Sequence, residues 1–480
     1  MELKVIQRIL GLLLIIFSFS MFPPAIVGSI YQDADIWPFL DAFLLLAGIG
    51  FVFWWFSRNN KKELRAREGF IIVVLFWLVL GFCGALPLAL SNSPNISITD
   101  SIFESFSGLT TTGATVLTQI DNLPHSILFY RHQLQWLGGM GIIVLAVAIL
   151  PMLGIGGMQL YRAETPGPIK DSKLTPRITE TAKSLWYIYL GLTVACGLLL
   201  WLAGMSIFDA IAHSFSTVAI GGFSTHDASI GYFNSPLIEA IIIIFMILAG
   251  INFSLHFSLL RNFSLKNFFA DTELRGYLFF LFFGFILVTF ALIFTGYSEP
   301  VRHAIFQTVS IATTTGFATT DFSAWPLFIP VLLVFLSFVG GCAGSAGGGM
   351  KVIRFVLLWK QGAREIHRLI HPSAEFPVKL SHKIVPENVI SAVWGFFALY
   401  VATFAIIMLL LMTTGLDQVT AFTAVAACLN NLGPGLGDVS ANYGSINNPA
   451  KLILSFAMLI GRLEIFSILV LFSPSFWRQW

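Results

Sequence analysis

A hydroxyl-rich run closed by a glycine recurs in this chain between long apolar segments. The clearest copy covers residues 308–321, TVSIATTTGFATTD. A polar loop at membrane depth cannot face lipid, because each unpaired backbone group costs several kcal/mol there. Such a loop is tolerated only where it lines a water-filled cavity or is buried inside protein. The run therefore predicts one of these two environments.

Four copies of the run can be superimposed on their glycines, which are Gly113, Gly222, Gly316 and Gly433. In the first three copies a serine lies six residues before the glycine, and in the last three an aspartate lies five residues after it. Copies at a spacing of roughly a hundred residues form an internal repeat. One copy alone would be an ordinary loop or helix cap, whereas four in register favour a shared function.

Four such loops can together surround a bare cation. Backbone carbonyls aimed inwards replace the water around the ion, as in a potassium-channel filter. The dihedrals required disfavour a residue with a Cβ, so a glycine belongs at the turning point. We therefore predict a cation pore with four non-identical quarters. The predicted potassium-binding filter residues are Thr111, Thr112 and Gly113; Ile220, Gly221 and Gly222; Thr314, Thr315 and Gly316; and Asn431, Leu432 and Gly433.

Composition places these loops in a membrane. Of 480 residues, 56% are hydrophobic and 11% are charged, with a mean hydropathy of +0.82, whereas soluble domains carry about 25% charged residues. Crossing a bilayer takes about 20 apolar residues. Ten segments are predicted to do so: 5–28, 38–57, 69–90, 130–153, 184–204, 236–260, 275–296, 326–358, 388–413 and 450–472. The predicted fold class is an all-α polytopic membrane protein.

Basic connections predict the orientation. The segments 58–67, 162–183, 261–275 and 354–383 all lie on one side if each filter stretch begins and ends on the other. Because the positive side is cytoplasmic, both termini are predicted to be cytoplasmic and the filters to face outwards.

Each repeat is predicted to contain a span, a short re-entrant half-helix, a filter loop and a second span. Thr99, Ser206 and Ser298 are the candidate caps of these half-helices, and Pro300 suits a first turn. Each carbonyl end then attracts a cation. The predicted division is 1–68 for two peripheral N-terminal spans and 69–160, 161–265, 266–383 and 384–480 for the pore repeats.

A glycine run interrupts the second span of the third repeat. It comprises Gly340, Gly341, Cys342, Ala343, Gly344, Ser345, Ala346, Gly347, Gly348 and Gly349. Each glycine costs a helix about 1 kcal/mol relative to alanine, and a broken helix at membrane depth belongs beside a water-filled path. Close helix packing through small residues is the alternative. We predict a gate here.

Arg462 lies within the last apolar segment, where a charge faces the bundle interior by default. We predict that it places a fixed positive charge beside the ion path as part of the gate. The alternative is structural pairing with loop carbonyls.

Catalytic and metal motifs are not found in the sequence. There is no GxSxG, GxGxxG or Walker sequence, so neither an enzyme nor a receptor with its own ligand domain is favoured. The cysteines Cys83, Cys196, Cys342 and Cys428 lie in separate apolar segments and are expected to be free thiols. His367 and His371 lack an HExxH context and are interpreted as exposed helix histidines. No organic cofactor and no nucleic acid are expected.

The TTTG runs at 110–113 and 313–316, GGFST at 221–225 and GGCAGSAGGGMK at 340–351 resemble the Trk/Ktr/HKT superfamily of potassium transporters. The two extra N-terminal spans and the closing GRLEIFSILVLF are similar to its TrkH family of bacterial pore subunits. The resemblance implies potassium uptake through a single pseudo-fourfold pore in the bacterial inner membrane. It implies that the four aligned glycines belong to the filter, and that the glycine run and Arg462 gate the pore.

The same resemblance implies a homodimer in membrane lipid that binds a cytosolic ring of nucleotide-sensing TrkA-type subunits. Potassium is then the transported ligand and the only metal, held at the filter. Symport of potassium with sodium or protons is the alternative mechanism. It would need buried carboxylates, for which Glu104 and Glu464 are the candidates.

Replacing Gly113 with serine should reduce the discrimination of potassium over sodium, because a side chain at the turning point shifts carbonyls out of register. Permeability ratios of the reconstituted parent and variant measure this. Equal ratios would show that this loop does not line the filter.

Overall fold

A computed structural model describes residues 3–33, 36–59, 66–144, 178–380 and 383–478 of the chain. Within these ranges helices make up nearly all of the regular secondary structure, and the exception is a small antiparallel pair formed by β1 (Lys379–Leu380) and β2 (Lys383–Ile384). The predicted all-α fold class is confirmed. Of the sequence predictions, the repeat boundary at 160 and most of the connections 58–67 and 162–183 lie outside the described residues.

The helices of the described ranges are numbered in chain order. The N-terminal part contains α1 (Leu3–Ser18), α2 (Phe22–Tyr31) and α3 (Trp37–Ser57). The first predicted repeat contains α4 (Ala66–Gly84), α5 (Leu86–Leu90), α6 (Ile98–Leu109) and α7 (His125–Val144). Next come α8 (Ile178–Leu202), α9 (Ile207–Ala219), α10 (Pro236–Ala249), α11 (Phe253–Asn262) and α12 (Leu265–Phe269). The third predicted repeat contains α13 (Thr272–Phe294), α14 (Pro300–Ala312), α15 (Ile329–Val339) and α16 (Val352–Ile370). The fourth predicted repeat contains α17 (Glu387–Thr413), α18 (Gln418–Leu429), α19 (Asn448–Phe472) and α20 (Pro474–Trp477).

Several helices are suited to crossing a membrane. Among the described residues six are long and apolar enough: Leu3–Tyr31, Trp37–Ser57, Gly69–Leu90, Lys183–Leu202, Thr272–Phe294 and Glu387–Thr413. The 25 residues of α19 are also of spanning length. The predicted span 130–153 begins within α7, and its residues after 144 lie outside the described ranges. The chain is a multi-pass membrane protein.

Two predicted spans are not continuous helices. The segment 236–260 was predicted as one span, but α10 and α11 meet at an angle of 93°. The break follows Gly250, and the side chain of Asn252 accepts a hydrogen bond from Ser254 N at 2.8 Å, which starts α11 afresh. The segment 326–358 is broken between α15 and α16, as the glycine run predicted.

Four short helices, α6, α9, α14 and α18, lead into the predicted filter loops. Ser206 caps α9 as predicted and accepts a hydrogen bond from Asp209 N at 3.0 Å. The prediction of Thr99 was wrong, because Ser97 caps α6 instead. The prediction of Ser298 was also wrong, because Glu299 holds the cap position of α14 without a side-chain bond. Pro300 follows in the first turn, as expected.

The N-terminal helices α1 and α3 cross closely at two glycines. A Cβ on Gly50 would lie 2.8 Å from Gly11 O, and a Cβ on Gly11 would lie 2.8 Å from Gly50 O. Small residues permit this approach between membrane helices. By contrast, a Cβ on Gly48 would have no atom within 4 Å.

Gly50→Val should lower the thermal unfolding midpoint of the protein in detergent, because overpacking costs about 1–3 kcal/mol. Gly48→Val is the matched control, since it adds the same side chain to the same helix without a clash. Unfolding scans of the three proteins test this, and equal midpoints for both variants would contradict it.

Candidate functional site

The four predicted filter loops share one backbone conformation. We call the four aligned glycines, Gly113, Gly222, Gly316 and Gly433, the reference glycines of their loops. In each loop the reference glycine has a positive φ, and so does the residue two positions before it. The pairs are 54° and 81° for Thr111 and Gly113, 56° and 77° for Ile220 and Gly222, 68° and 86° for Thr314 and Gly316, and 54° and 97° for Asn431 and Gly433. A positive φ is uncommon in residues with a Cβ. Its recurrence agrees with the predicted register, including that of the fourth loop, NLG.

Each loop also leaves its half-helix through an equivalent hydrogen bond. The residue before the reference glycine donates its N–H to the carbonyl five residues earlier. The pairs are Thr112 to Ser107, Gly221 to Ser216 and Thr315 to Ser310, each at 2.8 Å, and Leu432 to Ala427 at 2.7 Å. These bonds satisfy carbonyls that a helix C-terminus otherwise leaves unpaired. The serine shared by three loops is therefore the residue whose carbonyl closes the turn.

The four loops together form a closed ring. A Cβ on each reference glycine would overlap a carbonyl oxygen of the next loop. The distances are 2.1 Å from Gly113 to Gly221 O, 2.0 Å from Gly222 to Thr315 O, 2.1 Å from Gly316 to Leu432 O, and 2.7 Å from Gly433 to Thr112 O. The contacts run from the first loop to the fourth and back to the first. Only glycine permits an approach this close.

Carbonyl oxygens of the ring are available as cation ligands. Two of them accept side-chain hydrogen bonds: Gly221 O from Gln135 Nε2 at 2.5 Å, and Gly433 O from the Tyr443 hydroxyl at 2.7 Å. The carbonyls of the other predicted filter residues accept no hydrogen bond from the part of the chain that the structure describes. Polar oxygens in a largely buried ring need water or a cation as a partner. Each half-helix adds a charge of roughly −0.5 at its carbonyl end.

The glycine run packs directly against this ring. Gly348 N donates to Thr314 Oγ1 at 2.7 Å, and Gly349 N donates to Asn430 O at 3.0 Å. On its other side, Cys342 N donates to Gly250 O at 2.9 Å. The run therefore joins the third and fourth filter loops to the break between α10 and α11.

Arg462 connects the glycine run to the first filter loop. Its Nη1 donates to Thr111 Oγ1 at 3.0 Å and to Ala346 O at 3.1 Å, and its Nη2 donates to Gly138 O at 2.9 Å. Of these acceptors, Ala346 O is a loop carbonyl of the kind the alternative prediction named, whereas Thr111 Oγ1 is a hydroxyl and Gly138 O belongs to α7. The guanidinium of Arg462 is thus within hydrogen-bond distance of Thr111, a predicted filter residue, and its role in a gate stays a prediction.

Glu273 anchors the glycine run, and the sequence analysis did not identify it. Its Oε1 accepts hydrogen bonds from Ala343 N at 2.6 Å and from Ile353 N at 3.2 Å. One carboxylate thus holds both the run and the first turn of α16. An acidic residue beside the cap of α13 was the available signal, but capping alone explains such a residue.

Three ion pairs link helices within and between the predicted repeats. Arg131 Nε lies 2.7 Å from Glu104 Oε1, and both side chains are at most 1% exposed. Arg302 Nη2 lies 2.8 Å from Glu239 Oε1, and Lys451 Nζ lies 2.6 Å from Asp100 Oδ1. Arg131 and Glu104 lie on α7 and α6 of one predicted repeat, whereas each of the other two pairs joins helices of different predicted repeats.

The remaining candidates from the sequence are two histidines and four cysteines. His371 is exposed just after α16, and His367 is exposed in its last turn. The cysteines are free thiols, as predicted, with Cys83 half-buried and the others buried. Within the described ranges no group of three or more His, Cys, Asp or Glu side chains could hold a metal ion.

Long apolar helices, re-entrant half-helices and a closed ring of carbonyl-bearing loops define a membrane transport protein. A model of the TrkH family, described as cation transport protein, matches residues 38–479. The chain is 57% identical to the Trk system potassium uptake protein TrkH of Escherichia coli K12 and 56% identical to that of Halomonas elongata, over the full length of each. It matches the crystal structure of the potassium transporter TrkH from Vibrio parahaemolyticus with a TM-score of 0.91 and 53% identity, covering both chains completely. The chain therefore belongs to the TrkH family, a family of transporters and not of enzymes.

His226 follows the second filter loop and lies between two carboxylates. Its Nδ1 is 2.5 Å from Asp121 Oδ1, and its Nε2 is 3.6 Å from Asp209 Oδ1. Burial lowers the pKa of His226, but hydrogen bonds and attraction to the two carboxylates outweigh burial and raise the pKa above its ordinary value.

A raised pKa in the folded state makes protonated His226 stabilising at low pH. This contribution is complete below the unfolded pKa of about 6.5 and disappears as pH rises through the raised folded value. The thermal midpoint of the parent should therefore exceed that of His226→Gln most at about pH 5.5 and least at about pH 9. Unfolding scans across this range test the prediction, and a pH-independent difference would contradict it.

Proposed function

We propose that this chain takes up potassium across the bacterial cytoplasmic membrane through a single gated pore with a carbonyl filter. The observation that carries the proposal is the closed ring of four glycine loops. Its unpaired carbonyls can replace the hydration shell of a potassium ion. The potassium uptake proteins that the chain resembles along its whole length support the choice of ion. Both termini are proposed to be cytoplasmic.

Electrostatics favours inward movement through such a ring. Four half-helix ends face one ring, so their partial negative charges add where a cation would lose its water. The membrane potential supplies about 2.3 kcal/mol per charge per 100 mV. A conducting pore therefore needs no covalent chemistry and no organic cofactor to accumulate potassium.

The glycine run is the proposed gate, acting with Arg462. It already donates hydrogen bonds to the third and fourth filter loops, so a change in its conformation alters the ring directly. Glycines let its backbone change conformation without steric penalty. The Arg462 guanidinium holds the run at Ala346 O. We propose that this arrangement is the closed form.

The gate is proposed to respond to a cytosolic partner through α16. Glu273 bonds both the run and the start of α16, so movement of that helix reaches the gate. The far end of α16 continues into the hairpin of β1 and β2, and Arg364 pairs with Glu387 at the start of α17. A TrkA-type ring that grips residues 360–383 could thus bias the gate. The working unit is proposed to be a homodimer.

Symport with sodium or protons is less well supported. Glu104, the candidate coupling carboxylate, also accepts hydrogen bonds from Thr115 Oγ1 and Val116 N, at 3.0 Å each, in addition to its ion pair with Arg131. These contacts occupy both oxygens of the Glu104 carboxylate and hold it between α6, the first loop and α7, which favours a structural role over a coupling role. The side chain of Glu464 lies outside the described part of the structure.

Ion flux into liposomes that contain the purified protein and a potassium gradient tests the function. Potassium-dependent uptake that persists without a sodium or proton gradient is expected. Absence of potassium flux would contradict the proposed function, and strict dependence on a second gradient would establish symport.

Arg462→Ala should raise potassium flux about tenfold or more. A fixed charge about 8 Å from the ion, at an effective dielectric constant of about 20, opposes it by about 2 kcal/mol, which corresponds to such a factor in rate. Arg462→Lys keeps the charge and loses the forked hydrogen bonds, whereas Arg462→Gln keeps a donor and loses the charge. If charge is the barrier, the lysine variant conducts like the parent and the glutamine variant conducts faster. Lower flux in the alanine variant at equal expression would mean that Arg462 serves structure alone.

A further inference from the structure

Gln135 holds the second filter loop on both sides of its glycine. This side chain is fully buried on α7. Its Nε2 donates to Gly221 O at 2.5 Å, and its Oε1 accepts from Phe223 N at 3.2 Å. The bonded groups belong to the residues immediately before and after Gly222. One amide therefore fixes the backbone at the turning point of this loop.

Each of the other loops carries at least one polar side chain at the positions three residues and one residue before its glycine. In the first loop Thr110 Oγ1 lies 2.8 Å from Thr112 Oγ1, and in the third Thr313 Oγ1 lies 2.7 Å from Thr315 Oγ1. In the fourth loop Asn430 Nδ2 donates to Ser337 Oγ at 3.0 Å. The second loop has Ala219 and Gly221 at these positions and thus no side chain able to make such a bond.

Gly221 leaves the space that the Gln135 amide fills. A Cβ on Gly221 would lie 2.4 Å from Gln135 Cδ and 2.6 Å from Gln135 Oε1. The same residue's carbonyl is the one against which Gly113 packs. The amide therefore fixes the oxygen that sets how closely the first and second loops approach.

Arg131 lies one helical turn before Gln135 on α7 and also supports the second loop. Its Nη1 donates to Ser224 O at 3.4 Å, and its guanidinium lies 4.2 Å from the centroid of the Phe223 ring. Residues four apart lie on one face of a helix. One face of α7 thus carries two buried side chains that hold the second loop.

We propose that Gln135 is a specificity-determining positioning residue of the pore. It replaces the side-chain brace that the second loop lacks and keeps the Gly221 carbonyl in register with the other loops. The proposal rests on the proposed function, and Gln135 acts through the loop without touching the ion.

The test compares Gln135→Ala with Gln133→Ala. Gln133 is also buried on α7, but its Nε2 donates to Ser20 O at 2.8 Å, away from the filter loops. In liposomes, Gln135→Ala should lower the potassium-to-sodium permeability ratio about three- to tenfold, as expected for losing one or two buried hydrogen bonds. Gln133→Ala should leave the ratio at the parent value. A ratio is independent of the amount of folded protein, so a general loss of stability does not change it.

A rescue variant separates positioning from packing. Adding Ala219→Thr and Gly221→Thr to Gln135→Ala rebuilds the threonine pair of the first and third loops. Threonine is compatible with position 221, because that glycine does not have a positive φ. The triple variant should recover most of the lost selectivity. Gln135→Met fills a similar volume without the hydrogen bonds, and it should also lower the permeability ratio. It provides the test if Gln135→Ala does not fold.

Selectivity equal to the parent in both Gln135→Ala and Gln135→Met would overturn the proposal, and so would a triple variant as unselective as Gln135→Ala. Failure of the proposed function would look different, because the parent itself would then not conduct potassium. If the parent conducts and Gly113→Ser changes its selectivity while the Gln135 variants do not, only the role of Gln135 is rejected.

Discussion

The contact between each filter glycine and a carbonyl of the next loop is the constraint on which the rest of the structure depends. It leaves no room for a side chain at any of the four glycines, and each loop packs against the next until the ring is closed. Two further glycines allow equally close contacts between helices. A Cβ on Gly138 would lie 1.9 Å from Leu109 O, and a Cβ on Gly461 would lie 2.2 Å from Leu429 O. In both places a second helix of a repeat crosses the end of its own half-helix. Small residues there let the helices pack close enough for the ring to form.

The backbone of the ring is nearly fourfold, whereas its side chains are not. A single chain can place different groups behind each quarter, and this one does so. The first and third loops use threonine pairs, the second uses an amide from α7, and the fourth uses asparagines and a tyrosine. The glycine run comes from the third repeat alone and the guanidinium that holds it from the fourth. This asymmetry gives the proposed pore one gate. The ion pairs of Arg302 with Glu239 and of Lys451 with Asp100 join different quarters around it.

The sequence predicted those structural elements that depend only on residues close together in the chain. Glycine and serine spacing located four loops that share one conformation, and the glycine run at 340–349 ends a helix, because each glycine weakens a helix wherever it lies. The 93° bend after Gly250 could not be predicted, since one glycine in an apolar stretch is equally compatible with a straight helix. The caps were uncertain because Ser97 and Thr99 are both good caps two residues apart. The bond from Gln135 to Gly221 joins residues 86 positions apart, and only the tertiary fold brings them together.

The central claim is that the ring of loops binds the transported ion. Anomalous scattering from rubidium in crystals of the protein tests it most directly, because rubidium is a heavier analogue of potassium. The account predicts density inside the ring, contacted by backbone carbonyl oxygens from all four loops around Gly113, Gly222, Gly316 and Gly433. Density elsewhere in the protein, with none inside the ring of a preparation that transports potassium, would contradict it.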